Sequence, residues 1–290
     1  MKKFIILIPI FNDWKSLEKL LNEINENIKN IIKAKFDCVI INDCSSIKNS
    51  KILIPSHINS IKIIHMSKNR GHARCNALGI KYLSQNTNFD YLILMDGDGE
   101  DRPEEIKLLV DKVLNEPNKS VVAKRIKRSE GLLFQMLYRL HKWLTLLTTG
   151  KLINFGNYSC LTQSDIKKIS TKASLWSSYS GTFKKNIKNY NEVNSIRGTR
   201  YFGPSQMSLY KLLIHSFSII AVFKYRVFFS SIIFLFFFHY LGYLTNFNFL
   251  FFQILIILFN FFIFIVSLRE NEKEFESSEP DAVKTEDLTH

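Results

Sequence analysis

Residues 91–101 read Tyr91-Leu92-Ile93-Leu94-Met95-Asp96-Gly97-Asp98-Gly99-Glu100-Asp101, five apolar residues running straight into an acidic turn. The apolar part is short and uninterrupted, which predicts a buried strand. Asp96, Asp98 and Glu100 alternate, so on an extended segment their side chains point the same way and converge on one cation. The glycines between them remove side-chain bulk and let a diphosphate approach the backbone. Hard carboxylate oxygens suit Mg²⁺ or Mn²⁺, with substrate phosphate and water completing the shell. Gly99 and Glu100 do not meet the spacing of a calcium-binding EF-hand loop. Taken alone, the run also reads as a solvated acidic loop.

Outward from this turn, the chain alternates two periodicities. Residues 4–9, 36–43, 61–66, 91–96 and 120–125 are apolar runs of strand length. Between the first two, Trp14, Leu17, Leu20, Leu21, Ile24, Ile28 and Ile31 recur at helical spacing, and residues 71–83 and 104–114 read as further helices. Such alternation predicts an α/β domain with a mostly parallel sheet covered on both faces. Ligands of these sheets sit beyond the carboxyl ends of the strands. Asn12-Asp13, Asn42-Asp43 and the acidic run all fall at strand ends.

The second half is of another kind. Of 25 Phe residues, 14 lie in residues 227–268, a stretch without a single Lys, Arg, Asp or Glu. A hydrocarbon core about 30 Å thick needs about 20 apolar residues as a helix. Residues 227–245 and 249–268 meet that length, and Asn246-Phe247-Asn248 supplies the turn. The reading is a transmembrane hairpin, and the protein is not strictly soluble. Lys224 and Arg226 before it and Arg269 after it place both ends in the cytoplasm by the positive-inside bias. Residues 209–226 begin as an apolar run punctuated by Lys211, His215 and Ser218, which suits a helix along the membrane surface. Met1-Lys2-Lys3 opens a first strand, not a signal peptide, because no small-residue cleavage site follows.

The net charge of +13 is unevenly spread: residues 269–290 carry 8 acids against 3 bases, which leaves +18 on the rest. That acidic end has few apolar residues and is expected to be a disordered tail. The basic body suggests phosphate or anionic lipid partners. Nucleic acid is not expected, since no recognition motif accompanies the charge. Cys38, Cys44, Cys75 and Cys160 lack paired CxxC spacing and read as reduced structural thiols.

Five segments resemble the motifs of family-2 glycosyltransferases of GT-A fold, in particular the polyprenyl-phosphate branch that contains dolichyl-phosphate mannose synthases and undecaprenyl-phosphate glucosyltransferases. Ile8-Pro9-Ile10-Phe11-Asn12-Asp13 resembles IPxYNE, and Ile41-Asn42-Asp43-Cys44-Ser45-Ser46 resembles VDDGSxD. Residues 69–79 resemble NxGxxxAxNxG, Met95 to Glu104 resembles MDADLQDPPE, and Arg197 to Gln206 resembles RxxRxxGxSK. The resemblance implies a GT-A (Rossmann-like) domain over residues 1–208, followed by the interfacial helix at 209–226, the hairpin at 227–268 and the tail at 269–290. It implies that Pro9, Asp13 and Asp43, with Asn12 and Arg70 in the same motifs, hold a UDP- or GDP-linked sugar. It also implies that Asp96, Asp98 and Glu100 bind the metal, and that Arg200 with Arg197 holds phosphate. Asp98 and Arg200 are the implied catalytic pair. Arg125, which closes a strand, is a further phosphate-binding candidate. Asn42, Cys44 and Ile47 depart from the second motif, and the Arg of a GDFRLL segment is missing from Gly156-Asn157-Tyr158-Ser159-Cys160-Leu161.

Transfer to a sugar hydroxyl needs a general base. Between Gly131 and Arg197 the only acids are Asp165 and Glu192, and Asp165 reads as a helix-start residue. A phosphate monoester has a second pKa of about 6 and arrives already nucleophilic. The expected reaction is therefore inverting transfer to a polyprenyl phosphate on the cytoplasmic face of a bacterial inner membrane. Two readings stay open: a family-2 enzyme with another lipid or glycan acceptor, and a nucleotide-sugar-binding membrane protein that has lost catalysis. His65, His72 and His141 read as packing or surface residues, and Lys127 and Arg128 as solvated as readily as functional. Tyr138, Trp143, Trp176 and Tyr179 either line an acceptor groove or anchor an interface. The hairpin can mediate self-association, although it lacks a GxxxG pattern.

Overall fold

The computed structural model describes residues 1–47, 52–127, 132–203, 208–278 and 282–289. Its centre is the strand β1 (Lys2–Ile10), in which Phe4, Ile6, Ile8 and Ile10 face one layer and Ile5 and Leu7 the other. A strand segment buried on both faces must be apolar, as β1 is from Phe4 to Ile10. Around it stand β2 (Ala34–Asn42), β3 (Ile58–Met66), β4 (Tyr91–Leu94), β5 (Val121–Lys127), β6 (Phe155–Thr162), β7 (Asn191–Ile196) and β8 (Ala282–Thr289). The sheet order is β7-β5-β6-β4-β1-β2-β3-β8. The four strands from β4 to β3 run parallel, so the ends of β1, β2 and β4 open on one side. Beyond them β6 is antiparallel to both neighbours, and β8 is antiparallel to β3.

Helices α1 (Trp14–Ile28), α2 (His72–Asn86) and α3 (Ile106–Asn115) are the crossovers that parallel strands require. The periodic apolar residues of α1 and α3 pack on the Phe4–Ile6–Ile8 face. The opposite layer is built by α2 with α5 (Gln163–Ile169) and α6 (Tyr179–Asn186), where Trp176 and Phe183 are fully buried. Trp176 and Tyr179 are therefore core residues and line no groove. Asp165 is at the start of α5, as expected, with Ser120 Oγ donating to it at 2.7 Å and Lys168 at 2.8 Å. Glu192 on β7 pairs with Lys124 at 3.2 Å.

The chain then passes through α7 (Leu209–Ala221) into α8 (Lys224–Thr245) and α9 (Leu250–Ser267), both long and apolar enough to cross a membrane. Asn246 takes a left-handed φ of 55° to end α8, which starts the turn between them. Helix α4 (Leu132–Thr149) had no counterpart in the sequence reading; it packs on α8 through Ser230 Oγ to the Thr148 carbonyl at 3.1 Å. Its residues Met136, Leu140 and Trp143 are exposed.

The expected disordered tail is corrected. Residues 272–276 form α10 (Glu272–Glu276), Phe275 is buried, and β8 follows in register against β3. The acids that argued for disorder are met by the basic body: Lys62 pairs with Asp287 at 3.1 Å and Lys224 with Glu270 at 3.0 Å. Pro204, Ser205, Gln206 and Arg128 lie outside the described residues, as do residues 279–281 and 290 of the tail.

Candidate active site

Three turns leave the sheet on its open side. After β1, Asp13 occupies the cap position of α1 but makes no side-chain cap. Its carboxylate instead accepts from Arg200 Nη2. The same guanidinium donates from Nη1 to Asp98 Oδ2 at 2.9 Å and from Nε to the Phe202 carbonyl at 2.9 Å. Arg200 thus ties the turn after β1 to the acidic turn after β4. Arg197 pairs with Glu100 in the same way.

The backbone around these arginines is stitched down. Gly198 N–H donates to the Glu100 carbonyl at 2.8 Å, and Tyr201 N–H to the Asp98 carbonyl at 2.9 Å. Glu105, buried, accepts from Ser195 Oγ at 2.6 Å and from Ile196 N–H at 2.9 Å, which fixes the strand leading into Arg197. Gly99 has φ +88°, and a Cβ there would lie 2.5 Å from the Tyr201 ring. Gly99→Ala is expected to cost about 2–4 kcal/mol from strain plus overpacking. A thermal midpoint equal to the parent's would refute that contact.

The acidic turn is not extended beyond Leu94, so the alternation argument does not hold as first stated. Among the described residues no three His, Cys, Asp or Glu side chains form one metal-ligand group, and Glu100 is turned to Arg197. Asp96 and Asp98 remain a fitting pair of hard oxygen donors. Burial first, then Asp96 and Glu100, pushes Asp98 up to about 6, against the pull of Arg200. Burial also works against Asp96, but His72 and then Arg125 hold its carboxyl below the usual range. Crowded carboxylates of this kind are what a divalent cation relieves, and Mg²⁺ typically takes one or two from the protein.

Arg125 approaches the same acidic turn from β5. Its Nη2 lies 3.4 Å from Asp101, which is buried and accepts the Asp96 N–H at 3.0 Å. Burial and then Asp96 push Asp101 up to about 7, with Arg125 opposing. Arg125 therefore supports the acidic turn from behind. Asn12 is also a stitching residue: its Oδ1 accepts Ile47 N–H at 3.0 Å, and its N–H donates to Ser45 Oγ at 2.8 Å. Pro9 presents its carbonyl to Gly97, where a Cβ would stand 3.1 Å from it. Asp43 accepts Arg70 N–H at 2.7 Å and Gly71 N–H at 2.9 Å, one on each oxygen, and so sets the start of α2. The Arg70 side chain reaches away to Glu274.

Sequence reasoning missed His72 and Asn157. His72 Nε2 lies 3.1 Å from Asp96 Oδ1, and Asn157 Nδ2 is 3.2 Å from that oxygen and 2.7 Å from the imidazole. The place of His72 on the first turn of α2, beside Asp43's anchor, is the signal that could have found it. Burial pushes His215 of α7 down to about 4, and His72 and His141 act in the same direction.

A sequence model described as glycosyl transferase family 2 matches residues 5–201. The chain belongs to glycosyl transferase family 2. Relatives of this family 2 chain include the undecaprenyl-phosphate 4-deoxy-4-formamido-L-arabinose transferases of Photorhabdus laumondii, 27% identical over 221 residues, and of Yersinia enterocolitica, 27% over 220. Each alignment covers 73% of this chain and 65% of the relative, so the chain spans about two thirds of their length. Its fold is similar to that of glucosyl-3-phosphoglycerate synthase from Mycobacterium tuberculosis, crystallised with Mn²⁺, UDP and glucosyl-3-phosphoglycerate: TM-score 0.52, 14% identity, 78% of this chain and 80% of that one. A mannosyltransferase from Pyrobaculum calidifontis in complex with GDP-mannose and Mn²⁺ gives a TM-score of 0.50 at 12% identity, over 78% and 64%. The family 2 domain has the GT-A fold, with membrane-length helices after it.

Proposed function

We propose that this chain is a membrane-bound inverting glycosyltransferase that moves a sugar from a UDP- or GDP-linked donor to a polyprenyl phosphate, on the cytoplasmic face of a bacterial inner membrane. The observation that carries this reading is the bridge from Asp13 through Arg200 to Asp98, in a loop that leads within a few residues into α7 and the two spans. A phosphate site at the foot of a membrane hairpin suits an acceptor whose phosphate lies at the headgroup level and whose tail lies in the bilayer. The names of the relatives point to the same acceptor class. Lys224, Arg226 and Arg269 flank the hairpin and favour a cytoplasmic orientation.

In this reading Pro9, Asn12, Asp13 and Asp43 shape the base and ribose side of the donor pocket, Asp43 by fixing the turn at Arg70 and Gly71. Arg200 and Arg197 present guanidinium forks that exchange carboxylate oxygens for phosphate oxygens. Asp96 and Asp98 would hold Mg²⁺ or Mn²⁺, which supplies positive charge to the departing diphosphate. An oxygen of the lipid phosphate attacks the anomeric carbon from the opposite side. The bond from that carbon to the diphosphate oxygen breaks, and the nucleoside diphosphate leaves with the electron pair. Asp165 and Glu192 are engaged elsewhere in the fold, so an acceptor that needs no deprotonation fits best.

Nucleotide release from a UDP- or GDP-sugar is expected to rise on adding undecaprenyl phosphate to the detergent-solubilised protein, and to stop with chelator. Release that is indifferent to the lipid overturns the acceptor assignment. The protein is also expected to resist alkaline carbonate extraction from membranes and to leave them only in detergent. Recovery in the carbonate supernatant would contradict the hairpin.

A further inference from the structure

The acidic segment after the hairpin returns to the donor side of the sheet and touches it twice. At the first contact, Glu274 of α10 accepts from Arg70 and from Trp176 Nε1 at 3.1 Å, and lies 3.5 Å from Arg74. Arg74 stacks over the Trp176 ring at 5.5 Å, and Phe275 packs on the same indole at 5.8 Å. Lys81 Nζ donates to the carbonyls of Phe275 at 3.0 Å and Glu276 at 2.8 Å, which satisfies the end of α10. Arg70, Arg74 and Lys81 all belong to α2 or the residue pair that opens it. Arg70 and Gly71 are also the residues whose amides hold Asp43.

At the second contact, β8 covers β3 from Ser60↔Thr289 to Met66↔Ala282. Glu286 lies 3.4 Å from His65 Nε2, and the other ring nitrogen, Nδ1, is 2.9 Å from Asn42 Nδ2. The amide can only donate there, so Nδ1 accepts, and Nε2 makes no hydrogen bond to the Glu286 carboxylate. Asn42 Oδ1 accepts Ser45 N–H at 3.1 Å, and Ser45 Oγ accepts Asn12 N–H at 2.8 Å. The departure Asn42 thus has a partner of its own. A hydrogen-bonded chain runs from His65 through Asn42 and Ser45 to the turn that carries Asn12 and Asp13, and the Glu286 carboxylate stands at its outer end without a hydrogen bond to it.

We infer that residues 272–278 and 282–289 form a strap that positions the donor pocket, with Glu274 as the positioning residue that holds the Asn69–Arg70–Gly71 turn and Glu286 as a second brace on the Asn12 turn. The inference rests on the nucleotide-sugar reading above. It goes beyond it by making the segment downstream of the membrane hairpin a determinant of donor affinity. A carboxylate with three polar partners, on a helix anchored by a buried Phe, is built to stay in place, and a competitor for the donor's phosphates would be built to leave.

The test uses the full chain in detergent with Glu274→Gln, Glu274→Asp and Glu286→Gln. Three quantities are read: intrinsic tryptophan fluorescence, Kd for UDP and GDP, and donor KM and kcat. Glu274→Gln is expected to shift the Trp176 emission and to raise nucleotide Kd and donor KM by about tenfold, with kcat within about twofold; tenfold is about 1.4 kcal/mol, in the range of one charged hydrogen bond. Glu274→Asp recovers most of the loss, and Glu286→Gln raises KM by about threefold. A donor KM within twofold of the parent in both Gln variants overturns the strap, and so does a KM below the parent's, which would mark the segment as an inhibitor. If Glu274→Gln does not fold, Glu286→Gln on the exposed edge strand decides by the same criterion. A parent protein that binds neither nucleotide overturns the strap together with the nucleotide-sugar reading, whereas a parent that binds with variants that match it overturns the strap alone.

Discussion

Asp98→Asn is expected to slow donor turnover by roughly 10³-fold, the scale of removing a group that stabilises charge only in the transition state. It is also expected to leave the thermal midpoint within a few degrees of the parent's. The two halves of this result come from one arrangement. Asp98 is crowded by Asp96 and Glu100 and pushed up to about 6, so its charge is held at a cost. The Asn amide removes that repulsion and still offers an oxygen to Glu100 N–H, which donates to Asp98 Oδ1 at 3.1 Å. Against this, the ion pair to Arg200 at 2.9 Å is lost. The terms oppose each other in stability, but both metal affinity and the Arg200 contact need the carboxylate. Mn²⁺ should raise the midpoint of the parent, because a ligand of the native state alone stabilises it, and should not raise that of the variant. Near-parental turnover in Asp98→Asn would remove Asp98 from the metal assignment.

Arg200→Lys is the second large effect, and it isolates geometry from charge. The guanidinium reaches three acceptors at once: Asp13, Asp98 and the Phe202 carbonyl. An ammonium keeps the charge but is a point donor without the planar fork. The variant is expected to lose roughly 10²-fold in kcat/KM, with protein yield and midpoint little changed, because one carboxylate of the bridge can still be paired. Kinetics on purified protein would check it. Activity above half the parental value would mean that Arg200 serves only the fold of the loop. Combining it with Asp13→Asn gives a cycle in which the two losses should not add, since contacting residues typically couple by about 0.5–3 kcal/mol.

Much of this was legible before the structure. Phe4 to Ile10 and Tyr91 to Leu94 are apolar without break, and only a strand covered on both faces tolerates that composition. The hairpin was equally plain, because 42 residues without a charged side chain have few other places to be. The elements that escaped notice are those whose polar residues find partners far away in sequence. Strand β6 buries Ser159 and Thr162: the Ser159 hydroxyl meets Tyr179 Oη at 2.6 Å, and the Thr162 backbone N–H donates to Ser120 Oγ at 3.1 Å. Strand β8 and α10 look like a solvated acidic end until Lys62, Lys81 and Arg70 are seen opposite them. Helix α4 carries its apolar residues outward, where a water-soluble fold would place polar ones.

The acidic turn shows the same limit at the scale of single side chains. The carboxylates of residues 96–101 were recognisable as a set, but their division of labour was not. Glu100 goes to Arg197, Asp101 caps the Asp96 amide, and Asp96 meets His72 and Asn157. Arg197, His72 and Asn157 lie on other elements, and no spacing rule within the turn encodes them.

The product lipid is the most direct witness of the proposed reaction. Undecaprenyl phosphate incubated with the protein, Mn²⁺ and a panel of UDP- and GDP-sugars should yield, for one donor, a lipid phosphate heavier by a single sugar residue in the mass spectrum, and none after chelation. Nucleotide release with the lipid phosphate unchanged in mass under every donor would contradict transfer to a polyprenyl phosphate.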